Sequence, residues 1–150
     1  LWQNLLFINV LPPMRALAVD HGAVRIGLAI SDELGMFARP LTVVQNGSAA
    51  AAQIAQIARD QSVSTIVVGM PHHLDGRETD STRRVQAFVA QLAPLAHCPV
   101  VEWDEAYTTR DAGRLMIDSG VKKKKRSERG QSDLWAAAII LQRWLDASAR

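Results

Sequence analysis

The stretch Arg15–Ser31, RALAVDHGAVRIGLAIS, constrains the fold more than any other part of the chain. It holds two short apolar runs, RALAVD (Arg15–Asp20) and RIGLAIS (Arg25–Ser31), with only His21–Val24 between them. Short apolar runs bounded by turn residues read as strands. A connection this short joins them antiparallel. The first strand closes on a carboxylate. Asp-His-Gly is good turn chemistry, so Asp20 can be punctuation; a carboxylate at a strand end beside glycine can equally belong to a metal or phosphate site.

MFARPLTVV (Met36–Val44) reads as a third strand. Pro40 cannot donate to a ladder, so this strand belongs at a sheet edge or a bulge. Asn46–Gly47 marks a turn, Ser48 is placed to cap a helix, and alanine-rich Ala49–Arg59 is that helix. Ser64–Met70 is a fourth strand, dense in β-branched residues. A loop, Pro71–Glu78, leads to a helix over Asp80–Leu95 with Val85, Phe88, Val89 and Leu92 on one face. Pro99–Trp103 is a fifth strand. Thr108 and Asp111 make a capping box for a helix ending near Gly120. Ser132 caps a last helix striped with Leu134, Ala138, Leu141 and Leu145. A three-strand antiparallel meander followed by strand–helix alternation predicts an α/β fold: a five-stranded mixed sheet with helices on both faces.

A chain of 150 residues, 48% apolar and 21% charged, suits one globular domain with a substantial core. No internal repeat or linker divides it. The single cysteine, Cys98, excludes a disulfide framework and a cysteine zinc cluster, and a reducing, cytoplasmic setting fits. No apolar run approaches the ~20 residues that span a bilayer, so no membrane partner is expected. Residues 1–13, LWQNLLFINVLPP, lack a basic leader and a small-residue cleavage site. The patterned sequence begins after them, so Met14 is expected to be the biological start and residues 14–150 the domain. The net charge is only +2, yet Lys122, Lys123, Lys124, Lys125 and Arg126 form an unbroken run, which points to a polyanionic partner.

Open α/β sheets bind ligands at the carboxyl ends of their strands. Asp20 closes the first strand, Asp104–Glu105 follow the fifth, and Asp133 opens the last helix. Each acid alone has a plain reading: a turn, a solvated strand end, a complement to the helix dipole. Three carboxylates converging on one sheet end would instead suit Mg²⁺ or Mn²⁺, hard cations that take oxygen ligands. Two such ions can activate a water and stabilise the leaving oxygen in phosphodiester cleavage. The lysine run and Arg39 are candidates to contact phosphates, since compact cations suit backbone rather than base recognition. Arg39 precedes Pro40 inside an apolar strand, where an unpaired charge is costly, so it is expected either to pair with an acid or to reach a phosphate. Gly22 and Gly27 serve turn geometry or close phosphate approach, and His72, His73 and Asp75 a polar turn or the orientation of water. Trp135 is either buried against the sheet or stacks a base.

AVDHGAVRIGLAIS, the ARPL of Ala38–Leu41, VVGMPHHLDG (Val67–Gly76), WDEAYTT (Trp103–Thr109) and SDLWAAAIIL (Ser132–Leu141) occur in one order. Together they closely resemble the YqgF/RuvX family, bacterial nucleases of the RNase H-like superfamily, from about Met14 to Leu145. The resemblance implies an RNase H-like fold and a nuclease using divalent metal. That nuclease is described both as a Holliday junction resolvase and as an enzyme maturing the 5′ end of pre-16S ribosomal RNA. It implies Asp20, Glu105 and Asp133 as the catalytic, metal-holding acids, and a four-way DNA junction or precursor rRNA as partner. Ala106–Tyr107 stand where many relatives carry Arg-Leu, so no arginine follows the Asp-Glu pair here. A resolvase cuts two opposed strands, which favours a homodimer with twofold symmetry. Two rivals remain: a non-catalytic nucleic-acid-binding module of the same fold, and an actin-like ATPase, which would need a second domain that 150 residues without a repeat do not supply.

Overall fold

In the computed structural model, residues 14–71, 78–104 and 131–149 are described, with side chains in the last helix from residue 134 onward. The elements are β1 (Ala16–His21), β2 (Arg25–Ser31), β3 (Ala38–Gln45), α1 (Ala50–Asp60), β4 (Thr65–Met70), α2 (Asp80–Leu92), β5 (Val100–Asp104) and α3 (Gln131–Ser148). The strands form one five-stranded sheet in the order β3-β2-β1-β4-β5. β1–β2 and β2–β3 pair antiparallel, and β1–β4 and β4–β5 pair parallel. This is the expected mixed sheet. The helix expected between Thr108 and Gly120 lies outside the described residues.

Pro40 meets both conditions for a proline in a sheet. β3 is an edge strand, and its register with β2 slips between Leu28↔Thr42 and Ala29↔Pro40, so Leu41 is the extra residue of a bulge.

Side-chain alternation along β1 divides the interior in two. Leu17 and Val19 join Ile26, Leu28, Ile30, Ile66 and Val68 beneath α1 and α2, where Ile54, Ala58, Val85, Phe88 and Leu92 cover them. Ala16 and Ala18 face the other way, with Ala29 and Val67, toward Ala137, Ala138, Ile140, Leu141 and Leu145 of α3. That face is lined with small residues, so α3 lies close to the sheet. Gly69 takes this furthest: a Cβ built there would stand 2.6 Å from Ile140 Cδ1.

Several boundaries differ from the sequence expectation. α2 stops at Leu92 because Pro94 has no N–H to continue the ladder. The N-cap of α1 is Ala49, with no side-chain cap; Ala50 N donates to Gly47 O (3.2 Å), so the helix is entered through a turn and the Ser48 hydroxyl does not cap it. Ser132 lies inside α3 rather than before it. β3 begins at Ala38, not Met36, because Asp32 Oδ1 accepts from Met36 N (2.7 Å) and Phe37 N (3.0 Å). Gln142 of α3 clasps the same turn, accepting from Ala38 N (2.9 Å) and donating to Met36 O (3.0 Å).

Those backbone donors hold the Asp32 carboxyl below its ordinary value. A carboxylate with a lowered folded-state pKa contributes stability above its unfolded value of 3.8, and that contribution is lost as pH falls through the lower folded value. Wild type should therefore lose melting temperature between pH 5 and pH 3 by more than Asp32→Ala does, the difference being measured by paired thermal melts.

Candidate active site

Asp20 and His21 end β1, both half-buried, and their side chains diverge. By strand alternation Asp20 continues the face of Ala16 and Ala18, toward α3, whereas His21 continues that of Leu17 and Val19. The His21 ring packs 4.7 Å from the Phe88 ring, tilted by 42°. Burial, and secondarily the positive charge of Arg84, lower the His21 pKa below its usual value. Asn46 Nδ2 lies 3.3 Å from His21 Nε2. An amide NH₂ only donates, so Nε2 accepts and the ring proton sits on Nδ1.

The turn after Asp20 is tightly held. Gly22 N donates to Arg25 O (2.9 Å), and a Cβ on Gly22 would stand 2.4 Å from that same backbone oxygen. Only glycine fits, so turn geometry accounts for Gly22 without any ligand. Asn46, beyond the end of β3, donates through Nδ2 to Gly22 O (3.0 Å) and Ala23 O (3.3 Å), and its N–H donates to Val24 O (2.9 Å). Sequence reading assigned Asn46 to a local turn and missed this clasp across the sheet. An asparagine at a strand end signals a turn in either case, and nothing in the sequence names the hairpin it grips.

α3 runs antiparallel to β1. Ile140 rests on Gly69, near the carboxyl end of β4, while Leu145 Cδ2 lies 3.9 Å from where a Cβ on Gly35 would stand, at the opposite end of the sheet. Seven residues before Ile140, at about 1.5 Å per residue, the first turn of α3 lies about 10 Å further toward the sheet end that carries Asp20. Position 133 belongs to that turn.

The remaining candidates distribute as follows. Asp104 ends β5 and is exposed, and alternation puts it on the face away from α3, because Val101 and Trp103 pack on the α3 side and Val100 on the other. Gly27 is buried directly across from Asp20 on β2. Arg39 pairs in register with Ile30, three positions along β2 from Gly27, hence about 10 Å further toward the other sheet end. It is exposed on the edge strand, so solvent relieves the burial cost that sequence reading assigned to it. The structure does not bring it to Asp20. Trp135 and Trp144 pack against the α3-side core. Glu105, His72, His73, Asp75, Lys122, Lys123, Lys124, Lys125 and Arg126 lie outside the described residues. Among the described residues no three His, Cys, Asp or Glu side chains gather as a metal site, and of the three predicted acids only the Asp20 side chain is among them. Also among the described residues, no helix is long and apolar enough to cross a membrane.

The family model for RuvX, described as Holliday junction resolvase, matches residues 14–147. A "Putative pre-16S rRNA nuclease" from Anaeromyxobacter dehalogenans (strain 2CP-C) is 44% identical over 138 residues, 91% of this chain and 99% of the relative. A protein of the same name from Syntrophus aciditrophicus is 42% identical over 136 residues, 89% of each chain. Among solved structures, T. thermophilus RuvC in complex with Holliday junction substrate superposes with a TM-score of 0.58 at 17% identity, covering 91% of this chain and 96% of that one. The fowlpox virus resolvase, solved with substrate Holliday junction DNA, gives 0.53 at 9% identity, covering 91% and 100%. At such identities the likeness is one of fold, and the fold is RNase H-like.

Proposed function

The chain belongs to the RuvX family of Holliday junction resolvases and is a nuclease, and from that premise we propose that it is a divalent-metal-dependent endonuclease hydrolysing phosphodiester bonds of structured nucleic acid. Its substrate would be a four-way DNA junction, the 5′ leader of pre-16S rRNA, or both. The observation that carries this reading is the direction of α3, whose first turn approaches the sheet end and the sheet face of Asp20. Strand alternation sets Asp104 apart from that face, because Val101 and Trp103 face α3.

Asp20, Glu105 and Asp133 would hold the cation. An all-carboxylate donor set fits Mg²⁺ or Mn²⁺ and not zinc. When bound, such a cation supplies an activated water and charge stabilisation at the leaving oxygen. The chain's own part is to hold the carboxylates still. The Gly22 turn and the Asn46 clasp fix the backbone that follows Asp20, and Gly69 lets α3 come near.

Lys122, Lys123, Lys124, Lys125 and Arg126 would neutralise backbone phosphates beside the site. If all five do so, log affinity should fall against log salt with a slope of about −4.5. Replacing the run with Ser/Gly should flatten that slope in a fluorescence-anisotropy titration, and an unchanged slope would remove the run from the interface.

The substrate is decided by a side-by-side cleavage assay with Mg²⁺ or Mn²⁺ on a four-way junction and a pre-16S leader, with Asp20→Asn as control. Paired nicks in the junction that depend on Asp20 identify a resolvase. Asp20-dependent cutting of the leader alone identifies an rRNA-processing enzyme. Binding of either substrate with no Asp20-dependent cutting of either would favour the non-catalytic module instead.

A further inference from the structure

Two arginines stand side by side near the start of α2, and the described fold neutralises only one of them. Arg83 Nη1 donates to Asp80 Oδ1 (3.0 Å), an ion pair three residues apart on the helix. Arg84 Nη2 donates to the neutral Ser81 hydroxyl (3.0 Å), and among the described residues no carboxylate pairs with it. Arg84 is exposed and carries five N–H donors. It sits at the helix end where the macrodipole gives a cation no help. The packing of α2 asks for no charge at this position.

Its place in the fold is specific. The first turn of α2 is closed by the reciprocal Thr79–Thr82 capping box. Thr82 Oγ1 also donates to Pro71 O (3.4 Å), the carbonyl just past the carboxyl end of β4. Four residues on from Arg84, the Phe88 ring packs 4.7 Å from the His21 ring. Arg84 therefore stands one helical turn, about 6 Å, further toward the sheet end. Its charge reaches His21, the residue after Asp20: burial first, and that charge second, lower the His21 pKa. Asp20 and Arg84 thus flank one strand end from opposite sheet faces, Asp20 on the α3 side and Arg84 on the α2 side.

We propose that Arg84 is a substrate-binding residue whose guanidinium holds a backbone phosphate of the nucleic-acid strand, on the α2 side of the bond cut at Asp20. The inference rests on the nuclease reading and adds to it a contact on the face opposite the acids. The ligand class follows from the donor: a planar guanidinium matches the non-bridging oxygens of a phosphate bidentately. Contacts of that kind fix the register of a strand on its protein without reading its sequence. A strand crossing the sheet end past Asp20 presents its next phosphates to the α2 side, because the backbone carries one at every nucleotide. The capped first turn keeps the Arg84 backbone in place, so the contact sets where along the strand the acids act.

The test is a salt titration of binding by the full chain, read by fluorescence anisotropy. The probes are a pre-16S leader stem-loop and a four-way DNA junction, with Ca²⁺ replacing Mg²⁺ to suppress turnover. Arg84→Gln should make the slope of log affinity against log salt shallower by about 0.9, the loss of one phosphate contact. At fixed salt it should bind about tenfold more weakly or worse, the expected loss for a hydrogen bond between charged groups. Arg84→Lys should keep the slope, because the charge stays, and still bind more weakly than wild type, because the fork is lost. Arg59→Gln removes the same charge near the start of β1, at the opposite sheet end, where Arg59 donates to Leu95 O (3.1 Å); its slope and affinity should match wild type. Arg84→Gln should melt as wild type does, since the bond it gives up is exposed. The proposal is overturned if Arg84→Gln keeps the wild-type slope and affinity. It is equally overturned if Arg59→Gln flattens the slope as much, because the effect is then one of net charge. If wild type with Mg²⁺ cuts neither probe, the nuclease reading fails, and a slope that still flattens in Arg84→Gln leaves Arg84 as a phosphate contact of a binding module.

Discussion

Asp20→Asn should lower the single-turnover cleavage rate by about a thousandfold or more. The substitution keeps the shape of the side chain and the Asp20↔Gly27 pairing, so β1 stays in register. What changes is charge: two anionic oxygens become one neutral carbonyl and an amide that repels a cation. On the proposed reading the other two acids would not compensate, because the geometry of a hard-cation site is set by how many anionic oxygens converge. The expected pattern is weaker Mn²⁺ binding by calorimetry, lost cleavage, and an unchanged far-ultraviolet spectrum. A variant that cuts at the wild-type rate would place the chemistry elsewhere in the molecule.

The second large effect is structural. Gly69→Val should destabilise the protein by about 3 kcal/mol, because added volume in a packed core forces side chains off their rotamers. Its Cβ would enter the space of Ile140 Cδ1, 2.6 Å away, and Ile140 is fully buried with nowhere to withdraw. A double-mutant cycle isolates the cause. Gly69→Ala alone should cost about 1–3 kcal/mol and Ile140→Val alone about 1 kcal/mol. Combined, they should cost less than their sum, since the valine lacks the very methyl that the new Cβ strikes. Additive losses in denaturant melts would mean that Gly69 matters for strand geometry rather than for the approach of α3. Cleavage should fall with the Gly69 variants and recover in the pair, because the same helix carries position 133 toward Asp20.

Much of this was legible in the residues. Apolar runs separated by a few turn residues can only fold back on themselves, so the meander β1–β2–β3 followed from spacing, and Pro40 announced an edge or a bulge because it lacks an N–H, the structure supplying both. Helix ends were read less well. Pro94 stops α2 earlier than the apolar stripe suggests, and Asp32 draws Met36 and Phe37 out of β3 through bonds that depend on where the turn sits in space. Arg39 was misjudged for a related reason: its apolar neighbours in sequence implied burial, and only the edge position of β3 reveals that it is exposed.

Local sequence determined the elements, their order and the acids at strand ends, because hydrophobic period and turn chemistry act over a few residues. It also marked Asp20 as a residue to explain. What only the tertiary structure decided was which way each group faces and what it meets across the fold: α3 antiparallel to β1, Ile140 seated on Gly69, and Asn46 gripping a hairpin more than twenty positions away. Those contacts join residues far apart in the chain, and they exist because burying the apolar stripe of α3 on a face of alanines and a glycine requires one particular docking of helix on sheet.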